Sequence, residues 1–233
     1  SGGTLALFHD AVERTPMSGI RRGFQASLAG SLYPESLGTL SSTLGDLRGS
    51  LRITSPLPRF RRHTLTLGLR ARGILADEPR PLLEVGGNQL GTAFDHPNEA
   101  DAYLYPGLVP RRRFREPLRG FETLPFLVDQ IYIADLGYFL PIIIDRGTAT
   151  SFSILPSFFL RQLELELFAS AATSSTRAAR NDSHLAVGGA LGLRLYWLGP
   201  FVARYQLSQR LTDDDRLQHL ITLGGDLGDP NAY

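Results

Sequence analysis

The stretch HTLTLGLRARGILA, from His63 to Ala76, decides the fold class of this 233-residue chain. Every second residue from Leu65 to Ala71 is apolar, and the residues between them are Thr, Gly or Arg. A period of two places alternate side chains on opposite faces of a β-strand, whereas an amphipathic helix has a period near 3.6. We therefore predict a strand with one apolar and one polar face.

The same alternation recurs along the chain in runs of roughly ten residues, the length that a tilted strand needs to cross a bilayer. Helical periodicity is nearly absent. Pro141 interrupts one run, which is tolerated near a strand end or at a bulge. The pattern predicts about nine strands, over residues 4–12, 22–32, 47–55, 63–76, 130–144, 158–170, 185–198, 201–211 and 217–227.

Composition limits the class of protein. The chain is 42% hydrophobic and has a net charge of +1, and its length fits one β-domain or two small ones. It contains no apolar run of about 18 residues, so we expect no transmembrane helix. A mean hydropathy of -0.07 is compatible with a membrane barrel, because apolar and polar residues alternate in such strands. The absence of cysteine fits an oxidising envelope compartment.

All 24 basic residues are Arg. A GC-rich genome would explain this without any function, but Arg also suits a crowded lumen, because its fork pairs with carboxylates. An outward Arg at the bilayer midplane costs roughly 2–4 kcal/mol, so membrane insertion would turn the polar faces inward. The polar faces carry Arg48, Arg52, Arg70, Arg72, Arg194, Arg204 and Arg210, and other strands carry the acids Asp10, Asp135, Glu164, Glu166 and Asp226. We expect a network of ion pairs across a shared interior.

The alternative is a soluble β-sandwich or barrel with one face in a core. Its polar face would meet water and carry mixed short polar residues rather than many arginines. The apolar faces here are mostly Leu, Ala and Gly, as expected of a lipid surface. Aromatic residues near strand ends resemble an interfacial girdle: Tyr33, Tyr103, Tyr105, Trp197 and Tyr205. We therefore favour an antiparallel transmembrane β-barrel over the soluble fold.

Several motifs follow one another from residue 118 onward. They are Leu118-Arg119-Gly120-Phe121 in loop 77–128, LGYFLP at 136–141, FASAA at 168–172, GLR at 192–194 with Gly199-Pro200 and Tyr205, and the final strand at 221–227. Together they resemble the C-terminal barrel half of the outer-membrane protein insertase and two-partner-secretion transporter superfamily, the bacterial surface antigen family. The resemblance covers roughly residues 45–227. It implies an extracellular loop 77–128 that folds into the lumen and is held there by the motif Arg119, Gly120 and Phe121.

The chain departs from the pattern where that family has acidic partners for the loop arginine. Gly137 and Ser170 occupy those two positions. A buried guanidinium without a partner is costly, so Arg119 must find another carboxylate. We expect Glu164 or Glu166, with Asp135 next. The last strand ends in Leu227 rather than an aromatic residue, which puts its recognition by the insertion machinery in doubt.

Nine strands are fewer than the sixteen of that family, and an open edge in lipid would leave backbone groups unsatisfied. We therefore expect the chain to be one segment of a barrel that a longer precursor, a second polypeptide or another copy completes. No signal peptide is visible at Ser1-Gly2-Gly3, which fits either a cleaved signal or a piece of a longer chain, and the low strand count makes us expect the piece. An independent barrel of eight or ten strands is the alternative.

Other motifs indicate no further chemistry. His9, His63, His96, His184 and His219 lack metal-ligand spacing, and no nucleophile elbow occurs. We expect no catalytic residue, metal or cofactor. The run 111–115 (RRRFR) fits a loop end at the lumen or at lipopolysaccharide better than nucleic acid, and 213–215 (DDD) fits a solvated turn.

The sequence thus predicts a non-enzymatic outer-membrane barrel segment that takes part in polypeptide translocation or membrane-protein insertion. Its expected partners are outer-membrane lipid, lipopolysaccharide, the strands that complete the barrel, and a periplasmic or surface protein. The alternative function is a barrel anchor or pore for a partner domain such as a propeller or hydrolase.

Overall fold

The computed structural model describes residues 3–15, 19–35, 43–76, 83–86, 114–121, 126–144, 149–152, 155–176, 182–196, 200–212 and 217–225. The fold of this part of the chain is all-β, and nine long strands form one antiparallel sheet, which confirms the predicted fold class and strand number. The long strands are β1 (Gly3–Thr15), β2 (Gly19–Tyr33), β3 (Leu44–Leu57), β4 (Phe60–Ala76), β8 (Gln130–Ile144), β10 (Leu155–Ser175), β11 (Asp182–Tyr196), β12 (Pro200–Arg210) and β13 (Leu217–Gly225). Four short strands were not predicted: β5 (Leu83–Val85), β6 (Phe114–Glu116), β7 (Phe126–Val128) and β9 (Ala149–Phe152).

The sheet is a meander with the order β1-β2-β3-β4-β8-β10-β11-β12-β13, and β9 pairs with the start of β10. Strands β1 and β13 lie at its two edges. Because the strand number is odd and every pair is antiparallel, both edge strands run in the same direction. Within the described residues, no helix is long and apolar enough to cross a membrane.

Prolines lie where the sheet is irregular. Pro141 pairs with Glu164 while Ile143 pairs with Leu163, so Ile142 is the extra residue of a bulge. Pro56 lies beside the register shift at the end of β3. A proline cannot donate to the strand ladder, and a bulge removes that requirement. The strand at Pro141 was predicted with this interruption.

The sheet has an apolar face and a polar face, as the alternation predicted. On the apolar face, Ile53, Leu67 and Leu136 are neighbours on β3, β4 and β8. On the polar face, Asp135 and Ser170 are neighbours on β8 and β10. The period of two therefore continues across the strand pairs and gives each face one character.

The hydrophobic core lies on the polar face, at the end of the sheet where β4 ends and β8 begins. Here β5, β6 and β7 form a separate three-stranded sheet, with β5 parallel to β6 and antiparallel to β7. The cluster contains Leu83, Val85, Leu118, Phe121 and Val128 from the connecting segment, and Leu44, Ile74, Ile131, Ile133, Ala172 and Ala186 from the large sheet. We call the described parts of segment 83–128, which carry this small sheet and the motif, the docked segment.

Candidate functional site

The apolar face carries most of the exposed hydrophobic side chains. Among the described residues, twenty-seven large hydrophobic side chains are exposed and fourteen hydrophobic residues are buried. Exposure extends to central strands, where Leu67 is 38% exposed and Leu136 is 45% exposed. Soluble monomers rarely expose contiguous apolar surface beyond a few hundred Å². Apolar side chains are therefore exposed on edge and central strands alike across the described sheet.

The docked segment covers part of the polar face. Leu118 and Phe121, which flank the Arg-Gly pair of the motif, are 1% and 2% exposed. The segment thus buries these apolar side chains in the core and presents Arg119 to the polar face of the large sheet, which we call the wall. Residues 77–82, 87–113 and 122–125 of the predicted loop lie outside the described residues.

Arg119 is paired with Glu166, one of the carboxylates named from the sequence. Its Nη1 donates to Glu166 Oε1 over 2.5 Å, and Arg204 Nη2 donates to Oε2 of the same carboxylate over 2.6 Å. The Arg119 guanidinium also lies 5.1 Å from the centre of the Phe168 ring. The two oxygens of one carboxylate are therefore divided between the docked segment and the wall.

Gly137 has a spatial role in this contact. A Cβ atom added at Gly137 would lie 3.3 Å from Glu166 Oε1, tighter than most side-chain contacts. The missing side chain on β8 therefore leaves space for the carboxylate on β10. The absence of an acidic side chain at position 137 therefore goes with the presence of Glu166, because a side chain at 137 would crowd the Glu166 carboxylate.

Gly120 is required by both backbone conformation and space. Its φ is +84°, in the left-handed region that side-chain-bearing residues rarely adopt. An added Cβ would overlap Ala186 Cβ on β11. Arg210 Nε donates to the Gly120 carbonyl over 2.9 Å, so the turn is also held from β12.

Phe121 is enclosed by aromatic and cationic groups. The Arg210 guanidinium lies 4.4 Å from the ring centre, a cation–π distance. His184 meets the Phe121 ring edge-on at 5.5 Å and stacks on Phe126 at 4.5 Å. Ser174 Oγ lies 2.9 Å from His184 Nε2.

A second set of ion pairs holds β6 to the wall. Arg70 lies 2.9 Å from Glu116 and 2.7 Å from Asp135, and Arg72 lies 2.7 Å from Asp46. Ser170 Oγ donates to Asp135 Oδ1 over 2.5 Å. Burial raises the pKa of the Glu116 carboxyl, and the charges of Arg70 and Arg72 oppose that rise.

The remaining residues named from the sequence take different places. Glu164, a candidate partner of Arg119, instead lies 3.6 Å from Arg194 Nε. Asp135, the third candidate, pairs with Arg70. Arg48 is half-buried beside Arg72 on the neighbouring strand, and Arg52 is exposed on the polar face.

The sequence-based predictions missed some contacts of the site and placed some residues differently from the structure. Arg210 was assigned to the polar face by alternation, but its contact with Gly120 joins residues 90 positions apart, which no local pattern reveals. Tyr33 packs against the hydrophobic cluster rather than at a girdle, and Tyr205 is 41% exposed on the apolar face. Tyr103, Tyr105, Trp197, Asp226, Leu227, and segments 111–113 and 213–215 lie outside the described residues.

The described residues contain no group of three or more His, Asp or Glu side chains placed to hold a metal ion. Neither a protein-family model nor a curated protein matches the chain.

Proposed function

We propose that this chain is a segment of an outer-membrane β-barrel that takes part in moving or inserting polypeptides, with the docked segment inside the lumen. The observation that carries the proposal is the contrast between the two faces. Apolar side chains are exposed across the sheet, while charged side chains on the opposite face are paired and partly covered. In lipid the first face would be solvated by acyl chains, and the second would line a polar interior.

The lengths of the connections between strands support one orientation of the sheet in the membrane. The two-residue turn 58–59 lies at one end of the sheet, and the long connection 77–129 lies at the other. Outer-membrane barrels have short periplasmic turns and longer extracellular loops. The docked segment would therefore enter the lumen from the cell surface.

The two edge strands support completion of the barrel by other strands. Leu5 on β1 is 73% exposed and Ile221 on β13 is 62% exposed. Backbone groups at a sheet edge cannot remain unpaired in hydrocarbon. Further strands, from a longer precursor or a second polypeptide, would pair with both edges.

The role in polypeptide movement rests on the motif residues Arg119, Gly120 and Phe121 and the family that they resemble. The docked segment is held by ion pairs as well as by its buried apolar residues, and the paired charges can exchange partners with an arriving chain or with water. A segment held only by a dry core would not offer that route.

The membrane proposal is tested by substitutions on opposite faces of β4. Leu67→Arg would place a charge in lipid at a cost of roughly 2–4 kcal/mol and should reduce the heat-modifiable, detergent-extracted form on gels. Thr66→Arg, on the neighbouring residue of the polar face, is the matched control and should assemble. A chain that folds in water without detergent, or equal assembly of both variants, would rule the membrane proposal out.

The transport role is tested separately. Proteoliposomes that contain the completed barrel should insert or translocate a reporter polypeptide, and Arg119→Ala should change that rate while the barrel still assembles. A barrel that assembles normally and has no reporter activity in any variant would point instead to an anchor or pore for a partner domain.

A further inference from the structure

The two edge strands of the large sheet lack the features that protect an edge from pairing. Natural edges are blunted by short strands, charges, prolines or bulges. Strand β13, LQHLITLGG, contains no acidic residue, no Arg and no proline, and β1 contains none from Gly3 to Phe8. Leu5 on β1 is 73% exposed and Ile221 on β13 is 62% exposed. Both edges are therefore suited to pairing with a further strand.

The two edge strands run in the same direction. Every neighbouring pair from β1 to β13 is antiparallel, and the path contains nine strands. The short strand β9 lies on the β8 side of β10 and leaves this order unchanged. Strands β1, β3 and β13 thus all end at the side of the short turn 58–59, which is the periplasmic side in the orientation proposed above.

Edges with a common direction limit what can close the barrel. If β13 paired with β1 of the same chain, that seam would be parallel. A second copy in the same membrane orientation gives the same result, because its β1 also runs in the direction of the first copy's β13. Single-chain bacterial barrels are antiparallel throughout and have even strand numbers. Copies of this sheet alone, in any number, cannot form such a barrel.

We propose that the barrel is completed by an odd number of antiparallel strands that are not a second copy of this sheet. The inference rests on the proposed function, because it specifies which strands pair with the two edges in the membrane. The strands beside β1 and β13 would both run from the periplasmic to the extracellular side. Each would alternate apolar and polar residues, because the apolar face must continue across both seams.

The ends of such a block of strands match the ends of the sheet. Its last strand would finish on the extracellular side, where β1 starts at Gly3. Its first strand would start on the periplasmic side, where β13 ends at Gly225. One connected polypeptide can therefore pair with both edges, whether it is joined to this chain or separate. An even number of strands would run parallel to β1 or β13 at one seam.

Cysteine cross-linking tests the excluded seams, because the chain contains no cysteine of its own. Leu7→Cys is combined with a cysteine at His219, Ile221 or Leu223, which scans the register along β13. In chains assembled in the outer membrane, we expect no disulfide within a chain or between differently tagged copies. The control is Ala203→Cys with Leu223→Cys, a directly opposed pair on β12 and β13 that should form a disulfide.

The strand number is counted by electron cryomicroscopy of the assembly, purified through an affinity tag on the unsubstituted chain. We expect an odd number of strands between β13 and β1, antiparallel at both seams. An even number, or a disulfide that joins β1 to β13 in one chain or in two copies, overturns the proposal. Heat-modifiable mobility separates the two ideas. A heat-modifiable barrel with a β1–β13 disulfide contradicts this inference alone, whereas a chain without any heat-modifiable form contradicts the membrane proposal as well.

Discussion

Two charged clusters on the same polar wall are built differently. The β4 cluster, which we define as Asp46, Arg48, Arg70, Arg72, Glu116 and Asp135, matches three carboxylates with three guanidinium groups. The Glu166 cluster, which we define as Arg119, Glu166 and Arg204, sets one carboxylate against two guanidinium groups. In the Arg72–Asp46 pair the side chains are 10% and 5% exposed, whereas Arg119 is 34% exposed.

The comparison indicates that the β4 cluster stabilises the fold, whereas the ion pairs of the Glu166 cluster can exchange partners. Removing one partner of a buried, balanced pair leaves an uncompensated charge, so the β4 cluster should control stability. In the Glu166 cluster the contact is more exposed and the positive charges are in excess. That cluster should control the position of the docked segment.

The largest effect is expected in the β4 cluster. Asp46→Ala leaves Arg72 buried without its bidentate partner and should lower the free energy of unfolding by roughly 3–5 kcal/mol. The measurement is urea unfolding followed by circular dichroism. Asp10→Ala, an acid on the exposed edge strand β1, is the control, with an expected loss of about 1 kcal/mol or less. Equal losses of unfolding free energy in the two variants would show that buried and exposed charges contribute equally to stability.

The second-largest effect is expected for a substitution in the Glu166 cluster. Arg119→Ala removes a charge-assisted bond worth roughly 1.5–3 kcal/mol and should release the docked segment while the large sheet stays folded. Trypsin should then cut within 111–121 faster, which is read from the fragments by mass spectrometry. Arg204→Ala removes the other guanidinium from the same carboxylate without touching the docked segment, so cleavage should change less. Unchanged protease resistance in the Arg119 variant would show that the segment is held by its core contacts alone.

A smaller effect is expected at Gly120, where the docked segment approaches β11. Gly120→Ala introduces backbone strain and an overlap with Ala186, together worth roughly 1–3 kcal/mol. The same trypsin assay should show faster cleavage. Adding Ala186→Gly removes the overlap and should restore part of the protection, with about 1–2 kcal/mol of strain remaining. A double variant no better than the single one would show that overlap with Ala186 is not the cause.

The smallest effect concerns pH. Because burial raises the folded-state pKa of Glu116 above its unfolded value, its contribution to stability is complete below about pH 4.5 and is lost as pH rises through the folded pKa. Docking of β6 should therefore weaken slightly over that interval, as measured by hydrogen exchange of residues 114–116. Glu116→Gln should remove this pH dependence. A wild-type profile with the opposite slope would mean that attraction by Arg70 and Arg72 outweighs burial.

The sequence predicted the large sheet well, because period-two alternation is local and each of the nine runs carries its own signal. The interruption at Pro141 was predicted from the proline itself, which is tolerated near a strand end or at a bulge, and the structure has a register shift there. The candidate partners of Arg119 were limited to three carboxylates, and the structure places Arg119 on Glu166. Which of the three it meets depends on contacts across strands, including the space that Gly137 leaves beside Glu166, and the sequence does not display these.

The sequence could not reveal the docked segment's own small sheet or the contact of Arg210 with Gly120. Strands of three residues are too short for any period to appear, and β6 lies 29 residues beyond β5, so their pairing is a matter of tertiary contact. The Arg210 contact spans 90 positions.

By itself, the sequence determined that this chain forms amphipathic antiparallel strands, with apolar residues on one face and arginines on the other. That follows from the geometry of a β-strand, in which each residue's face is fixed by its position. Only the tertiary structure decided which charges meet. It placed Arg72 on Asp46 and Arg119 on Glu166, because pairing depends on distances between strands and on the space that glycines leave.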